Sequence, residues 1–462
     1  MGAELMSDFL LIDFGTTSTK SIRVDINTGI FSNPYSTNAL RNVAKYSSYH
    51  EFDMYEVKKR FEDICIDNYN LSPFTGIIIC SEMHGFSILD LNNRPITNYI
   101  SWKDERSIEK IENKNSAFRD ICNYWKDDFK KITGMTPRPG FMPMSLLHIS
   151  RTNILPSDIR IVDLPGWLSR STGFATGHLH TSMLAGLGIY DINKNMIAEN
   201  LISWLSDKIG SRIHLDKPEE IPAVSGYWQK IPIYVGVGDH QCSLLGAGLV
   251  DDGALSINIG TGAQISTLNS NKFPEESELR PFLFDQYLKT ITHVPGGRAL
   301  ATYVNFIQQL TGPHFNIWEE LSNLNVKSIE EGSLFFQFST FSSARGYKDG
   351  GAISHITEET LNIENYLNSL LRSFAEQYIE MTKFFDPNMT HHSLIISGGI
   401  SRRLPALVEF IQRNTDYNVI GATDVDESLL GLRTIALLIS GCAKDIQSAK
   451  EYFGADITIK DA

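Results

Sequence analysis

The chain has 462 residues, with 41 Lys plus Arg against 54 Asp plus Glu and a formal net charge of −13. That length is comfortable for two domains. A hydrophobic fraction of 42% with a charged fraction of 21% is ordinary for a soluble globular chain, and the acidic balance argues against duplex nucleic acid as a partner. The five cysteines, Cys65, Cys80, Cys122, Cys242 and Cys442, are far apart and form no CxxC pair, so neither a zinc site nor a disulfide framework is expected. Free thiols fit a cytoplasmic protein. No apolar run approaches the roughly 20 residues of a membrane helix, so no membrane association is expected.

In chain order, short apolar runs end repeatedly in Gly, Asp or Asn. Residues 9–12 lead into Asp13-Phe14-Gly15, and residues 76–80 lead into a polar stretch. Residues 231–237 lead into Gly238-Asp239, residues 255–259 into Gly260, and residues 394–396 into Ser397-Gly398-Gly399. These read as buried strands with functional groups at their carboxyl ends. Residues 363–385 and 427–440 carry helical spacing, with Gly441 placed to cap the second. Strands alternating with helices predict an α/β architecture. The boundary between two halves is expected near residues 230–235, giving domains 1–233 and 234–462.

Residues 11–20 and 257–266 echo one another: an apolar strand, Gly-Thr, then a second β-prone run. Each predicts a hairpin with a small-residue turn, in which Thr hydroxyls and turn N–H groups can donate to phosphate oxygens. Two such turns in parallel contexts favour a duplicated phosphate grip over two ordinary hairpins. Asp13, at a strand end beside one of them, would be a poor neighbour for phosphate unless a cation intervened. It therefore predicts Mg²⁺ held through water, the alternative being a turn Asp. Ser397-Gly398-Gly399-Ile400-Ser401-Arg402 offers a strand, a Gly-Gly turn and a backbone surface on which a base and ribose can lie.

These three segments, Asp13 to Lys20, Gly260 to Gly262 and Ser397 to Gly399, resemble the two phosphate motifs and the adenosine motif of the actin, sugar-kinase and heat-shock-70 superfamily. Further segments resemble the FGGY carbohydrate kinases, in the family's order. They are Ser81-Glu-Met-His-Gly85, Ile100-Ser-Trp-Lys-Asp-Glu-Arg106, Gly238-Asp-His-Gln-Cys-Ser243 and Asp426-Glu-Ser-Leu-Leu-Gly-Leu-Arg433. The resemblance implies two actin-like (ribonuclease H-like) ATPase domains with an active-site cleft between them, and ATP with Mg²⁺ as cofactors. It implies Asp239 as the base on the acceptor hydroxyl. Met83, His84, Trp102 and His240 would line a sugar pocket with Asp239. Thr16, Thr17, Gly260, Thr261 and Gly262 would hold phosphates, Gly398 and Gly399 would meet the adenosine, and Asp13 would serve the metal. Asp104 and Arg106 are expected to pair at the pocket edge. Partners are then a small sugar and ATP, and a homodimer is compatible with the family.

Val294-Pro-Gly-Gly-Arg-Ala-Leu-Ala-Thr-Tyr-Val304 resembles a stretch of the sedoheptulokinase subfamily, which makes sedoheptulose the expected acceptor, phosphorylated at its terminal hydroxyl. D-Xylulose, or another ketose or polyol, is the alternative. Glu82 departs from the Gln usual at its position in the family. A silent sugar sensor and an actin- or chaperone-like ATPase are the competing functions; Asp13, both Gly-Thr turns and Asp239 argue against the first, and Met83, His84, Trp102 and Asp239 against the second.

Overall fold

The computed structural model describes residues 8–111, 114–268, 277–312, 315–341, 344–421, 425–452 and 459–460. The chain forms two compact units. The first comprises Met1–Gly246, Leu279–Tyr287 and Ser428–Ala462; the second comprises Ala247–Glu278 and Leu288–Glu427. This division differs from the halves 1–233 and 234–462 expected from the sequence. The segment carrying Asp239 stays with the first unit, and the chain returns to that unit after Glu427.

The first unit is built on β1 (Asp8–Phe14), β2 (Ser18–Asp25) and β3 (Phe31–Asn38), followed by helix α1 (Met54–Leu71) and β4 (Gly76–Ser81). Helix α2 (Leu164–Ser171), β5 (Ile231–Tyr234), β6 (Val237–Gly238) and helix α3 (Asp239–Gly246) come later in the chain. In the sheet, β5, β4, β1, β2 and β3 are neighbours in that order, and β6 also pairs with β4. β1 and β2 are antiparallel, as the hairpin reading requires, whereas β1, β5 and β6 each run parallel to β4. The single strand expected over 231–237 is divided at Val235-Gly236. A Cβ at Gly236 would lie 2.4 Å from Cβ of Pro165 on α2, so the backbone there passes too close to the helix for any larger residue. Helix α1 starts at Asp53, whose side chain accepts from the amides of Tyr55 and Glu56. Its Met54, Val57, Phe61, Ile64 and Cys65 form a buried stripe at helical spacing and pack with Leu10, Ile12, Ile77 and Ile79 of the sheet.

The second unit repeats this arrangement. It contains β7 (Ala254–Ile259), β8 (Ala263–Leu268), β9 (Tyr287–Val294), helix α4 (Gly297–Thr311), helix α5 (Ile363–Phe385), β10 (Ser393–Ser397), helix α6 (Gly399–Arg403) and β11 (Asn418–Ile420). Here β7 and β8 form the antiparallel hairpin, β9 continues it, and β10 and β11 run parallel to β7 and to each other. Leu255, Ile257, Leu394 and Ile396 of the sheet share a core with Leu370, Leu371, Phe374 and Tyr378 of α5. Residues 363–385 form the helix predicted for them. Helix α7 (Glu427–Ile439) ends one residue short of the predicted 440, and Gly441 follows at φ +74°. That left-handed conformation suits glycine at a helix end.

One buried cation ties the first unit together. Arg23 on β2 is 1% exposed. It donates to the carbonyls of Ser72 at 2.9 Å and Pro73 at 3.1 Å, to the Ser72 hydroxyl, and to the Asp8 carboxylate. Removing it leaves several buried acceptors and one carboxylate without their donor. Arg23→Leu should therefore lower unfolding stability by about 2–4 kcal/mol. Denaturant titration checks this; a midpoint equal to wild type would mean water replaces the guanidinium at no cost.

Candidate active site

The register of three parallel strands places three carboxylates in one neighbourhood of the first unit. Asp13 on β1 pairs with Cys80 on β4, and Cys80 pairs with Val237 on β6; one step on, Phe14 pairs with Ser81 and Ser81 with Gly238. Asp13 thus lies near the carboxyl end of β1, Glu82 follows β4 and Asp239 follows β6. The carboxyl ends of parallel strands are where α/β sheets bind ligands, because side chains there project past the sheet rather than into it.

Asp239 opens α3, and its Oδ1 accepts from the His240 amide at 2.8 Å. Its pKa is pushed up to about 8: burial disfavours its charge first, then the negative charges of Asp13 and Glu82, with the His240 amide and Arg280 pulling weakly the other way. Glu82 is 2% exposed, and burial raises its pKa to about 7 against the pull of Ser101, Lys103 and Thr16. Its Oε1 has no hydrogen-bond partner of normal geometry among the described residues. Its Oε2 accepts from the Thr16 hydroxyl at 3.4 Å, while the Thr16 hydroxyl accepts from Trp102 Nε1 at 3.2 Å. Because an indole only donates, the Thr16 hydrogen is directed toward Glu82. Asp13 is 6% exposed. Its Oδ2 accepts from the Ser428 hydroxyl at 2.6 Å and its Oδ1 from the Cys80 thiol at 3.4 Å.

The remaining sequence-predicted residues divide by unit. Met83 is buried against Gly238, where a Cβ would lie 2.7 Å from Met83 Sδ. Trp102 is 43% exposed. His84, at φ +74°, donates from Nδ1 to the Gly186 carbonyl at 2.6 Å and stacks on Phe141 with ring centroids 4.8 Å apart. His240 is buried at 8% exposure, and Thr17 is exposed. Asp104 and Arg106 form the expected pair, with Nε to Oδ1 at 2.7 Å and Nη2 to Oδ2 at 2.8 Å, and Arg106 also lies over the Tyr49 ring at 4.4 Å. In the second unit, Gly260, Thr261 and Gly262 form the turn between β7 and β8. Its carbonyls at Gly260 and Thr261 accept from the Gly297 and Arg298 amides, each at 2.9 Å. The β7–β10 register pairs Asn258 with Ser397, so this turn and Gly398 follow adjacent strand ends. Gly398 has φ +99°, and a Cβ there would lie 2.6 Å from the Ile259 carbonyl oxygen. Only glycine fits. Its amide donates to Glu427 Oε1 at 3.2 Å, and Glu427 Oε2 pairs with Arg402 at 2.7 Å.

Sequence reasoning missed several supporting residues. Ser428 lay within a recognised motif but was given no role, whereas Arg280 and Cys80 carry no local signal and are found only through the fold. Gly296 and Gly297 stood in a stretch read for substrate identity, yet they pack beneath the Gly-Thr-Gly turn: a Cβ at Gly296 would lie 2.5 Å from the Gly262 carbonyl carbon.

Residues 9–153 match the FGGY family of carbohydrate kinases, N-terminal domain. The chain is 23% identical over 353 residues to the xylulose kinase of Staphylococcus xylosus, covering 70% of this chain and 68% of that protein. It is 24% identical over 466 residues to the xylulose kinase of Bacillus subtilis, covering 96% and 90%. Among solved structures, the gluconate kinase from Lactobacillus acidophilus superposes with a TM-score of 0.81 at 16% identity, covering 98% of this chain and 94% of that one. The ligand-bound xylulose kinase from the same organism gives 0.80 at 17% with the same coverage, and Plasmodium falciparum glycerol kinase with ADP gives 0.78 at 17%, covering 99% and 95%. The fold is therefore that of the two-domain, actin-like sugar kinases. The protein is an enzyme, a carbohydrate kinase, and the match over its N-terminal part together with these relatives supports the FGGY family. The sedoheptulokinase expectation is not carried by these matches, in which the curated relatives are xylulose kinases.

The raised pKa of Asp239 has a consequence for stability. A carboxyl whose folded pKa lies above its ordinary value binds its proton more tightly when folded. Stability is then fully present below the ordinary carboxylate range and falls as pH rises from about 4 to about 8. Asp239→Asn removes that dependence. The variant should match or exceed wild type in Tm at pH 8, with a smaller difference at pH 5. Thermal melts across this range check it; parallel curves for the two proteins would show that Asp239 titrates normally.

Proposed function

We propose that the protein transfers the γ-phosphoryl group of ATP to the terminal hydroxyl of a ketose, with D-xylulose the favoured acceptor over sedoheptulose. The observation that carries the reading is Asp239 at the carboxyl end of β6, its pKa raised toward neutrality beside Asp13 and Glu82. Acceptor phosphorylation needs a carboxylate that holds the hydroxyl in line and takes its proton, and a base works best when its pKa lies near the working pH. Trp102 supplies an exposed aromatic face for sugar C–H groups, and Met83 packs behind Gly238 as the pocket wall. His84 and His240 belong to the same pocket in this reading. The hydroxyls of Thr16 and Thr17, with the Gly260-Thr261-Gly262 turn, grip phosphate oxygens, and the Gly398-Gly399 turn receives the adenosine. The xylulose kinase relatives support the choice of acceptor.

Mg²⁺ would accompany the nucleotide and offset phosphate charge. Asp13 suits a water-mediated role in this reading: it stands near the carboxyl end of β1 and accepts from the Ser428 hydroxyl and the protonated Cys80 thiol. Among the described residues no group of three or more His, Cys, Asp or Glu is placed to bind a metal directly. No described helix is long and apolar enough to cross a membrane, and a cytoplasmic site of action fits this small-molecule chemistry.

The test is ADP release with Mg-ATP against D-xylulose, sedoheptulose, D-ribulose, L-ribulose, D-fructose and glycerol. D-Xylulose should give the highest kcat/KM, and Asp239→Asn should lower it by about 10²–10⁴. A folded, ATP-binding protein that ignores every sugar would sink the kinase reading. The pH profile is a second check. The base must be ionised, and kcat/KM reports the enzyme before it binds the sugar. It should therefore rise with pH and level off above about 8; a flat profile from pH 6 to 9 would remove Asp239 ionisation from the rate.

A further inference from the structure

Behind Asp239 runs a buried chain of hydrogen bonds that the reaction chemistry does not itself use. The Gly238 amide donates to the Ser182 hydroxyl oxygen at 3.1 Å, and the Ser182 hydroxyl lies 2.7 Å from His180 Nδ1. His180 Nε2 lies 3.0 Å from Glu220 Oε2. The direction of every bond follows from its neighbours. His180 Nδ1 accepts from the Ser182 amide at 3.1 Å, so it carries no proton, and the Ser182 hydroxyl must donate to it. The neutral ring then bears its proton on Nε2 and donates it to Glu220. Glu220 is fixed in turn by the Thr181 hydroxyl at Oε1 and by the Phe284 amide, 3.2 Å from Oε2. His180 and Ser182 are both 0% exposed. All of these residues belong to the first unit.

The relay ends on the residue before the base. Gly238 has no side chain by which to be held. A Cβ there would lie 2.6 Å from Gln241 Oε1 and 2.7 Å from Met83 Sδ, so those side chains confine one side of it, and Ser182 grips its amide. Gln241 is itself anchored, donating from Nε2 to the Pro281 carbonyl at 3.0 Å. At the start of α3, Asp239 Oδ1 is turned back onto the His240 amide. Where the Asp239 carboxylate stands therefore depends on where Gly238 is held.

We infer that Glu220, His180 and Ser182 are positioning residues that set the Asp239 carboxylate through the Gly238 amide. This rests on the reading of Asp239 as the base. A Ser–His–Glu chain can also serve as a nucleophile, but Ser182 is closed to any substrate, and its lone pair faces a backbone amide. The relay instead resembles the outer hydrogen bonds that hold a reacting group within a fraction of an ångström of its productive place.

The experiment compares wild type, Ser182→Ala, Glu220→Gln and Asp239→Asn, with Tm and circular dichroism as fold controls. Ser182→Ala leaves the Gly238 amide without its acceptor. It should lower kcat by roughly 10- to 100-fold while KM for the ketose stays within about twofold, because misplacing a base costs transition-state rather than ground-state binding. Glu220→Gln, a milder change at a partly exposed site, should lower kcat less, in the same pattern. Adding Ser182→Ala to Asp239→Asn should cost little further rate, since both act through one carboxylate. A second readout needs no sugar: the stability difference between wild type and Asp239→Asn over pH 5 to 8 should shrink in the Ser182→Ala background, as the freed carboxyl moves toward water. A folded Ser182→Ala protein with wild-type kcat and an unchanged pH dependence of stability overturns the relay. Failure of the wild type to phosphorylate any sugar instead overturns the kinase reading, and the stability comparison still decides whether Ser182 governs Asp239.

Discussion

The constraint on which the site depends is electrostatic. Three adjacent parallel strands, β1, β4 and β6, deliver Asp13, Glu82 and Asp239 from their carboxyl ends, and the register leaves little freedom to separate them. Buried carboxylates in one another's field resist ionisation. Asp239 carries this burden most visibly, its pKa pushed up to about 8 by burial and by both neighbours. Folding does not favour such a group, so the surrounding packing must supply the free energy that holds it there. The dense core under the sheet, in which Leu10, Ile12, Ile77 and Ile79 are fully buried, is the counterweight.

The same constraint accounts for the supporting polar network. Asp13 receives donors from Cys80 on the adjacent strand and from Ser428 on the returning C-terminal segment. Cys242 on α3 donates to the Ser428 carbonyl at 3.1 Å, and Gly431 gives close access there, since a Cβ would meet the Cys242 carbonyl oxygen. The return of residues 428–462 to the first unit therefore has a chemical purpose. It brings the Ser428 hydroxyl to the buried Asp13 carboxylate as a donor.

Much of this was legible in the sequence, for a physical reason that also marks where legibility stops. Strands buried on both faces read as unbroken apolar runs, so 9–12, 76–80, 255–259 and 394–396 declared themselves, and the Gly-Thr turns followed from their echo. Residues 231–237 were read as one strand because periodicity registers apolar content and not the Pro165 ring that presses on Gly236. The domain boundary was placed by linear order, which cannot show a chain that leaves a unit and returns. Glu82 was noticed only as a departure from a family pattern; its burial and its link through Thr16 to Trp102 emerge from long-range pairing. Ser182, His180 and Glu220 gave no signal, since their spacing in the chain says nothing of the amide they serve.

Acceptor identity is the property least open to either reading. The fold is shared by kinases of unlike substrates: the structures that superpose here include gluconate, xylulose and glycerol kinases. What separates such enzymes must lie in the few side chains that meet the acceptor, and in the proposed pocket Glu82 stands next to Met83. An ionised Glu82 would accept hydroxyl hydrogens and nothing else, whereas a protonated one could also donate. With its pKa raised to about 7, either form is accessible near neutrality. Glu82 and Asp239 repel when both are charged, so a proton gained by one eases ionisation of the other. Glu82 is thus coupled to Asp239, and the protonation of one cannot be set independently of the other.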